Sequence, residues 1–124
     1  MNNRPVPELQ TDPEFDELIQ PREEKYLEEL EENIFDHGCQ EPVCVWNGII
    51  LDGRLRYKIC TKWDIHFNIR RIMLESRDKA VSFICHEQLK RTDLTGEYKK
   101  YLIGRLFRAD MNTASDEFMK KHPD

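Results

Sequence analysis

Six residues, Asp52-Gly53-Arg54-Leu55-Arg56-Tyr57, hold the densest chemistry in this 124-residue chain. The apolar run Ile49-Ile50-Leu51 before them reads as a buried strand, and the residues after them recur at helical spacing. A strand that ends at an acid and a glycine and passes at once into a helix with two arginines suits a phosphate. The glycine permits close backbone approach, the first helical N–H groups point outward with the positive end of the helix dipole, and arginine grips phosphate oxygens with paired hydrogen bonds. Asp52 can orient an arginine or help hold a metal-bound water. An N-cap aspartate, a turn glycine and two surface arginines would leave the same local pattern, and local chemistry alone leaves both readings open.

The cysteines offer less. Cys39, Cys44, Cys60 and Cys85 are irregularly spaced, with no Cys-x-x-Cys pair, and read as reduced, mostly buried thiols. His37 lies close to Cys39, but zinc sites recruit spaced pairs from two places in the chain. Charge is more informative. The net charge of −5 argues against a phosphate-rich partner, yet residues 1 to 53 hold fourteen acids and three bases, whereas residues 54 to 110 hold seven acids and fourteen bases. The basic part begins at Arg54, which favours an anionic ligand near the turn and leaves an acidic first helix to face away from it or to meet a basic partner. Two solvated helix faces of opposite sign are the plainer explanation.

These residues need elements to hold them. The chain length fits one compact core, and no apolar run approaches the ~20 residues that cross a bilayer. Met1 to Leu9 lack a basic segment followed by an apolar one, so the chain reads as cytoplasmic. Residues 1–20, with three prolines, predict an extended or mobile lead-in, residues 21–110 the folded domain, and residues 111–124 a polar, frayed tail. A helix is expected from Pro21, with Leu27, Leu30 and Ile34 as its apolar stripe and Gly38 as its end. Pro42 to Trp46 and Ile49 to Leu51 predict strands around an Asn47-Gly48 hairpin turn. Leu55, Ile59 and Trp63 predict a helix to about Lys62, and His66 to Met73 a third strand. Ser76 and Thr95 are expected caps, the first for a helix bearing Ala80, Phe83 and Ile84, the second for one bearing Tyr98, Tyr101, Leu102 and Leu106. Together these predict an α/β (α+β) domain, a small mixed sheet with flanking helices.

Three separated segments resemble boxes of the ParB family, in the family's order. Gly53 and Arg56 match G-x-x-R-x-x-A, with Ile59 in the alanine position. Upstream, Gly38-Cys39-Gln40-Glu41-Pro42-Val43 is similar to the glycine, glutamine and proline segment. Downstream, Glu87-Gln88-Leu89-Lys90-Arg91-Thr92-Asp93-Leu94 is similar to E-N-x-x-R and its aspartate-leucine step. The likeness spans roughly Leu18 to Phe107 and is nearest to ParB-like proteins of phages and mobile elements, whose turn often reads D-G-H-N-R-Y. Arg54 and Leu55 are departures from that pattern.

The resemblance implies a ParB/sulfiredoxin-type fold that binds a nucleotide, CTP in the chromosome-partition members, together with Mg2+. By position Gly53 and Arg56 would hold phosphates, with Asp52 and Arg54 beside them. Gln88 and Arg91 would complete the triphosphate end, Glu87 would serve the metal, and Gln40 would line the pocket. Gln88 stands where the partition proteins carry asparagine, its amide about one methylene further out. A nucleotide-binding switch module of a DNA-associated protein is the leading expectation, with a homodimer among its assemblies. The DNA-reading helix-turn-helix would lie in a missing segment or a partner, because too little chain follows the Thr95 helix to form one. A metal-dependent nuclease using Asp52 and Glu87 is the enzymatic alternative, a slow nucleoside triphosphatase is also open, and no catalytic residue is assigned. Sulfiredoxin chemistry fits poorly, since Arg54 stands where its nucleophilic cysteine would be. A degenerate domain kept for protein interaction is the third reading.

Overall fold

The computed structural model describes residues 8–122. They form two compact units, one of residues up to Asp12 together with Pro21–Ile72, the other of Pro13–Gln20 together with the residues from Met73 on.

The first unit is built on a hairpin. Asn47 and Gly48 both take positive φ, 50° and 78°, as the tight turn requires, and join β1 (Val43–Trp46) to β2 (Ile49–Asp52). A third strand, β3 (Ile69–Arg71), pairs with β1 in parallel, giving the sheet order β2-β1-β3. This is the small mixed sheet that the sequence predicts. The third strand is shorter than the His66 to Met73 expectation, its three residues pairing with Val43, Cys44 and Val45. Between Cys44 and Val45 the register shifts by one residue, so Asp52 rather than Leu51 stands opposite Cys44. Such a bulge bends the strand and re-aims the side chain that follows it.

Helix α2 (Glu24–His37) and helix α3 (Arg54–Trp63) complete this unit, and Ile34, Val43, Val45, Ile50, Ile59, Cys60 and Phe67 form its core. Burying each large aliphatic side chain there contributes about 1.5–3 kcal/mol. Helix α2 starts three residues later than the Pro21 expectation, because Glu23 is still extended, and ends at Gly38, whose N–H donates to the Ile34 carbonyl at 2.7 Å. On α3 the buried pair is Ile59 and Cys60, while Trp63 stands out in solvent. Spacing by four drifts about 40° per step around a helix, so Leu55, Ile59 and Trp63 cannot share one narrow face over two turns.

The expected extended lead-in divides. Gln10 does run extended, bridging the free edge of β2 through bonds of 2.9 Å to Gly48 and Ile50. Pro13–Glu17, by contrast, form a short helix, α1, with Phe15 buried, which corrects the expectation for that segment. Proline suits a first helical turn because its missing N–H would be unpaired there anyway. Residues 1–7 of the lead-in, and 123–124 of the tail, lie outside the described residues.

The second unit is helical: α1, α4 (Arg77–Leu89) and α5 (Gly96–Lys121). Both expected caps form, Ser76 Oγ accepting from the Lys79 N–H at 3.2 Å and Thr95 Oγ from the Tyr98 N–H at 3.1 Å. Phe15, Leu18, Ala80, Val81, Ile84, Cys85, Leu102 and Ala109 are buried. The frayed tail is also corrected, since α5 continues to Lys121. Lys79 pairs with Glu117 at 3.7 Å, Asn112 donates to Asp78 at 3.4 Å, and Lys120 and Lys121 complement the negative end of the helix. Among the described residues no helix is long and apolar enough to cross a membrane.

Candidate functional site

The turn between β2 and α3 is a built structure rather than a loose junction. Gly53 holds φ 100° and ψ 23°, a left-handed conformation that side chains disfavour. A Cβ at this position would come within 2.9 Å of Arg56 Nη2 and 3.2 Å of the Val43 α-carbon. Glycine is therefore needed twice, for its φ and for the arginine laid over it. No side chain caps the N-terminus of α3, and no acid lies in its first turn, so the positive end of its dipole is not offset from within the helix.

Arg56 joins three parts of the first unit. Its Nη1 donates to Glu41 Oε2 at 3.2 Å, and its Nη2 donates to the Pro42 carbonyl at 3.0 Å and to Asp52 Oδ2 at 3.3 Å. The guanidinium thus ties the loop before β1 to the end of β2 and the start of α3. Its side chain is only 19% exposed, whereas the Glu41 side chain is 78% exposed. Arg56 Nε is buried and has no hydrogen-bond partner, an uncompensated donor that costs on the order of 1–3 kcal/mol. Asp52 and Arg56 therefore meet over Gly53, and Arg54 is the first residue of α3. Gln40 lies exposed in the adjoining loop, where the Cys39 thiol donates to the Glu41 carbonyl at 3.4 Å. Two members of this site were missed by sequence reasoning, the Glu41 carboxylate and the Pro42 carbonyl. Glu41 stands inside the glycine, glutamine and proline box and could have been found as the only acid in it.

The Glu87, Gln88 and Arg91 box lies in the second unit and has another character. Far from a solvated helix end, it is a packed knot. Gln88 is 7% exposed and its Oε1 accepts from Arg91 Nη1 at 3.1 Å. Arg91 also donates to the Gln20 carbonyl at 2.8 Å and to both oxygens of Asp93, at 2.9 and 2.8 Å. Gln20 in turn donates to the Asp93 carbonyl and accepts the Thr95 N–H. Gln20 is the residue that sequence reasoning missed here, and Asp93, read there only as part of the aspartate-leucine step, is the partner of Arg91. Glu87 pairs with Lys90 at 2.8 Å, and among the described residues no group of three or more His, Cys, Asp or Glu is placed to hold a metal ion.

Two buried thiols, Cys60 and Cys85, stay protonated at neutral pH. Burial, reinforced by neighbouring Cys39, pushes Cys60 up to about 12, and burial pushes Cys85 up to about 11. Neither offers the thiolate that a nucleophile requires.

No family model matches the chain, and no curated protein matches it. Solved structures do. The C2221 form of a Pnob8-like ParB-N domain superposes with a TM-score of 0.67 at 23% identity, covering 91% of this chain and 47% of that one. The pNOB8-like ParB N-domain gives 0.66 at 20% identity, covering 94% and 44%. This chain thus spans less than half the length of the chains it matches, and its fold is that of a ParB N-domain.

Proposed function

We propose that the Gly53 to Arg56 turn binds the phosphate group of a nucleotide and that the domain serves as the nucleotide-dependent switch of a ParB-like, DNA-associated protein. One observation carries the reading: an uncapped helix N-terminus, opened by a left-handed glycine, with a mostly buried guanidinium beside it whose Nε lacks a partner. Backbone donors, dipole and arginine together are the ingredients of a phosphate cradle. CTP is the nucleotide that the resemblance favours.

The same geometry supplies a switching step. Glu41 is the exposed member of the Arg56 cluster, so an arriving phosphate competes with its carboxylate for Nη1, while Asp52 and the Pro42 carbonyl keep the arginine in place. Release of Glu41 loosens the loop ahead of the Pro42 anchor, and a ligand that favours the loosened arrangement shifts the population toward it. That loop movement would govern contact with a second copy or with the DNA-reading part of the protein. Four free thiols agree with a reducing, cytoplasmic setting.

Magnesium fits as an ion carried in by the phosphates rather than as a resident cofactor. It would neutralise the charge of the phosphates held at the turn. Nuclease chemistry gains no support, since Asp52 is held by Arg56.

The deciding measurement is a melting-temperature panel with CTP, ATP, GTP and UTP, with and without magnesium, followed by calorimetry on any nucleotide that raises it. A ligand bound only by the folded state must stabilise it, by about 2.7 kcal/mol at a hundredfold excess over Kd. A concentration-dependent rise with at least one nucleotide, reduced tenfold or more in affinity by Arg56→Lys, supports the reading. Flat melting curves and no heat at millimolar nucleotide would overturn it.

A further inference from the structure

The acidic side of the first unit carries a pocket that the phosphate-binding reading does not use. Glu28, Glu31, Glu32, Phe35 and Trp63 line an open pocket of about 400 Å³. The three glutamates and Phe35 recur every three to four residues along α2 and so share one face, while Leu27, Leu30 and Ile34 occupy the other. Phe35 is 64% exposed and Trp63 46%, and the two rings meet edge to face at 5.7 Å. Large aromatic surface left in water beside carboxylates is unusual for a surface that meets only solvent.

The chain itself shows which chemistry this pocket accepts. Lys62 Nζ lies 4.9 Å from the Trp63 ring centroid and 2.9 Å from Glu31 Oε1, and Trp63 Nε1 donates to the same oxygen at 2.6 Å. An ammonium between an aromatic face and a carboxylate is a cation–π arrangement with its counter-ion in place. Hydrogen bonds from Lys62 and Trp63 hold the Glu31 carboxyl below its usual range, so it stays charged in mildly acid solution. Glu28 and Glu32 remain to neutralise further positive charge, and the aromatic walls favour a planar, weakly hydrated guanidinium over a hydrated metal ion.

We infer that this pocket is a docking site for an arginine-bearing basic peptide segment of a partner protein, whose guanidinium stacks on Trp63 and Phe35 while Glu28 and Glu32 pair with its charge. The inference stands apart from phosphate binding, because every residue it uses lies on α2 or at the end of α3.

The test uses the whole chain with Trp46→Phe, which leaves Trp63 as the single tryptophan, folding being checked by circular dichroism. A capped ten-residue peptide with four arginines among alanines is titrated while Trp63 emission is followed, beside a counterpart in which citrulline replaces arginine. A saturable change with the arginine peptide is expected, at least tenfold weaker with citrulline, with Glu28→Lys combined with Glu32→Lys, and in about 0.5 M salt. Both glutamates are exposed, so their reversal leaves the core intact. Equal curves for the two peptides, or undiminished binding by the double variant, would overturn the inference. So would concentration-dependent self-association, seen by sedimentation without peptide and abolished by Phe35→Ser, which would give the pocket to a second copy instead.

Discussion

Two arginines, Arg56 in the first unit and Arg91 in the second, carry the same expectation from sequence, a grip on phosphate, and differ in how completely the fold has already used them. Arg91 spends its guanidinium on a two-point pair with Asp93, the Gln20 carbonyl and Gln88. Arg56 bonds Asp52 and the Pro42 carbonyl, but its other carboxylate, Glu41, stands mostly in water and its buried Nε has no partner. A satisfied arginine is a structural tie; an under-satisfied one beside an uncapped helix retains binding capacity. Residue type and spacing are the same signal in both cases, and the hydrogen-bond inventory separates them.

The largest expected effect tests the tie. Breaking a buried charge pair by removing one partner costs ~3–5 kcal/mol, and because Asp93 is itself exposed, Arg91→Ala should destabilise the protein by about 3 kcal/mol. The denaturant midpoint reports this, and the nucleotide affinity of the molecules that remain folded should not change. A folded, stable Arg91→Ala variant that has lost nucleotide would reverse the roles of the two arginines.

Gly53→Ala comes next. The left-handed φ and the approach to Arg56 and the Val43 backbone cost together about 2 kcal/mol, and the displaced guanidinium should lower nucleotide affinity at least tenfold. Unchanged affinity would place the anion somewhere other than this turn.

The thiols compare the two units against pH. Cys60 lies in the first core and Cys85 in the second, and both are raised above the ordinary thiol value of 9, to about 12 and about 11. A raised thiol keeps its proton in the folded state while the unfolded chain ionises first. The stability it contributes is therefore full below pH 9 and is lost as the pH rises toward the folded value, by up to about 1.4 kcal/mol per pH unit for each thiol. Melting temperature measured from pH 7 to 10.5 should be flat and then fall from pH 9. Replacing Cys60 by valine should halve that fall if the two cores respond alike, and a slope untouched by the replacement would assign the alkaline limb elsewhere.

Local signals were legible in the sequence where a short segment sets its own geometry. Asn47-Gly48 fixed the hairpin, and Ser76 and Thr95 formed the caps their types require. Gly38 and Gly53 took the positive φ that glycine allows. What stayed hidden depends on partners distant in the chain. The β2 edge recruits Gln10, Glu14 binds Arg77 and Arg105 and so holds α1, and Gln20 closes the knot at Arg91. Periodicity cannot register such pairs, because neither member alters the pattern around the other. The candidate site shows the same division: the glycine, the arginine and Asp52 of the turn could be read directly, whereas the second carboxylate held by that arginine, Glu41, comes from fifteen residues upstream.

Glu41 gives the smallest effect on stability and the sharpest test of the comparison. Exposed ion pairs are worth ~0–1 kcal/mol, so Glu41→Gln should shift the melting temperature little, the amide still offering an oxygen to Arg56 without its charge. Its effect on binding has the opposite sign to every other substitution at the site. If the carboxylate occupies a place that a phosphate needs, neutralising it removes the competitor and the local repulsion together, and nucleotide affinity should rise about threefold to tenfold, or ~0.7–1.4 kcal/mol. Calorimetry on parent and variant at the same ionic strength measures this directly. Weaker binding in Glu41→Gln would mean that Glu41 helps to hold Arg56 ready or contacts the ligand itself. The loop would then be part of the cradle rather than its gate, and the contrast with the saturated Arg91 would narrow to a single unpaired nitrogen.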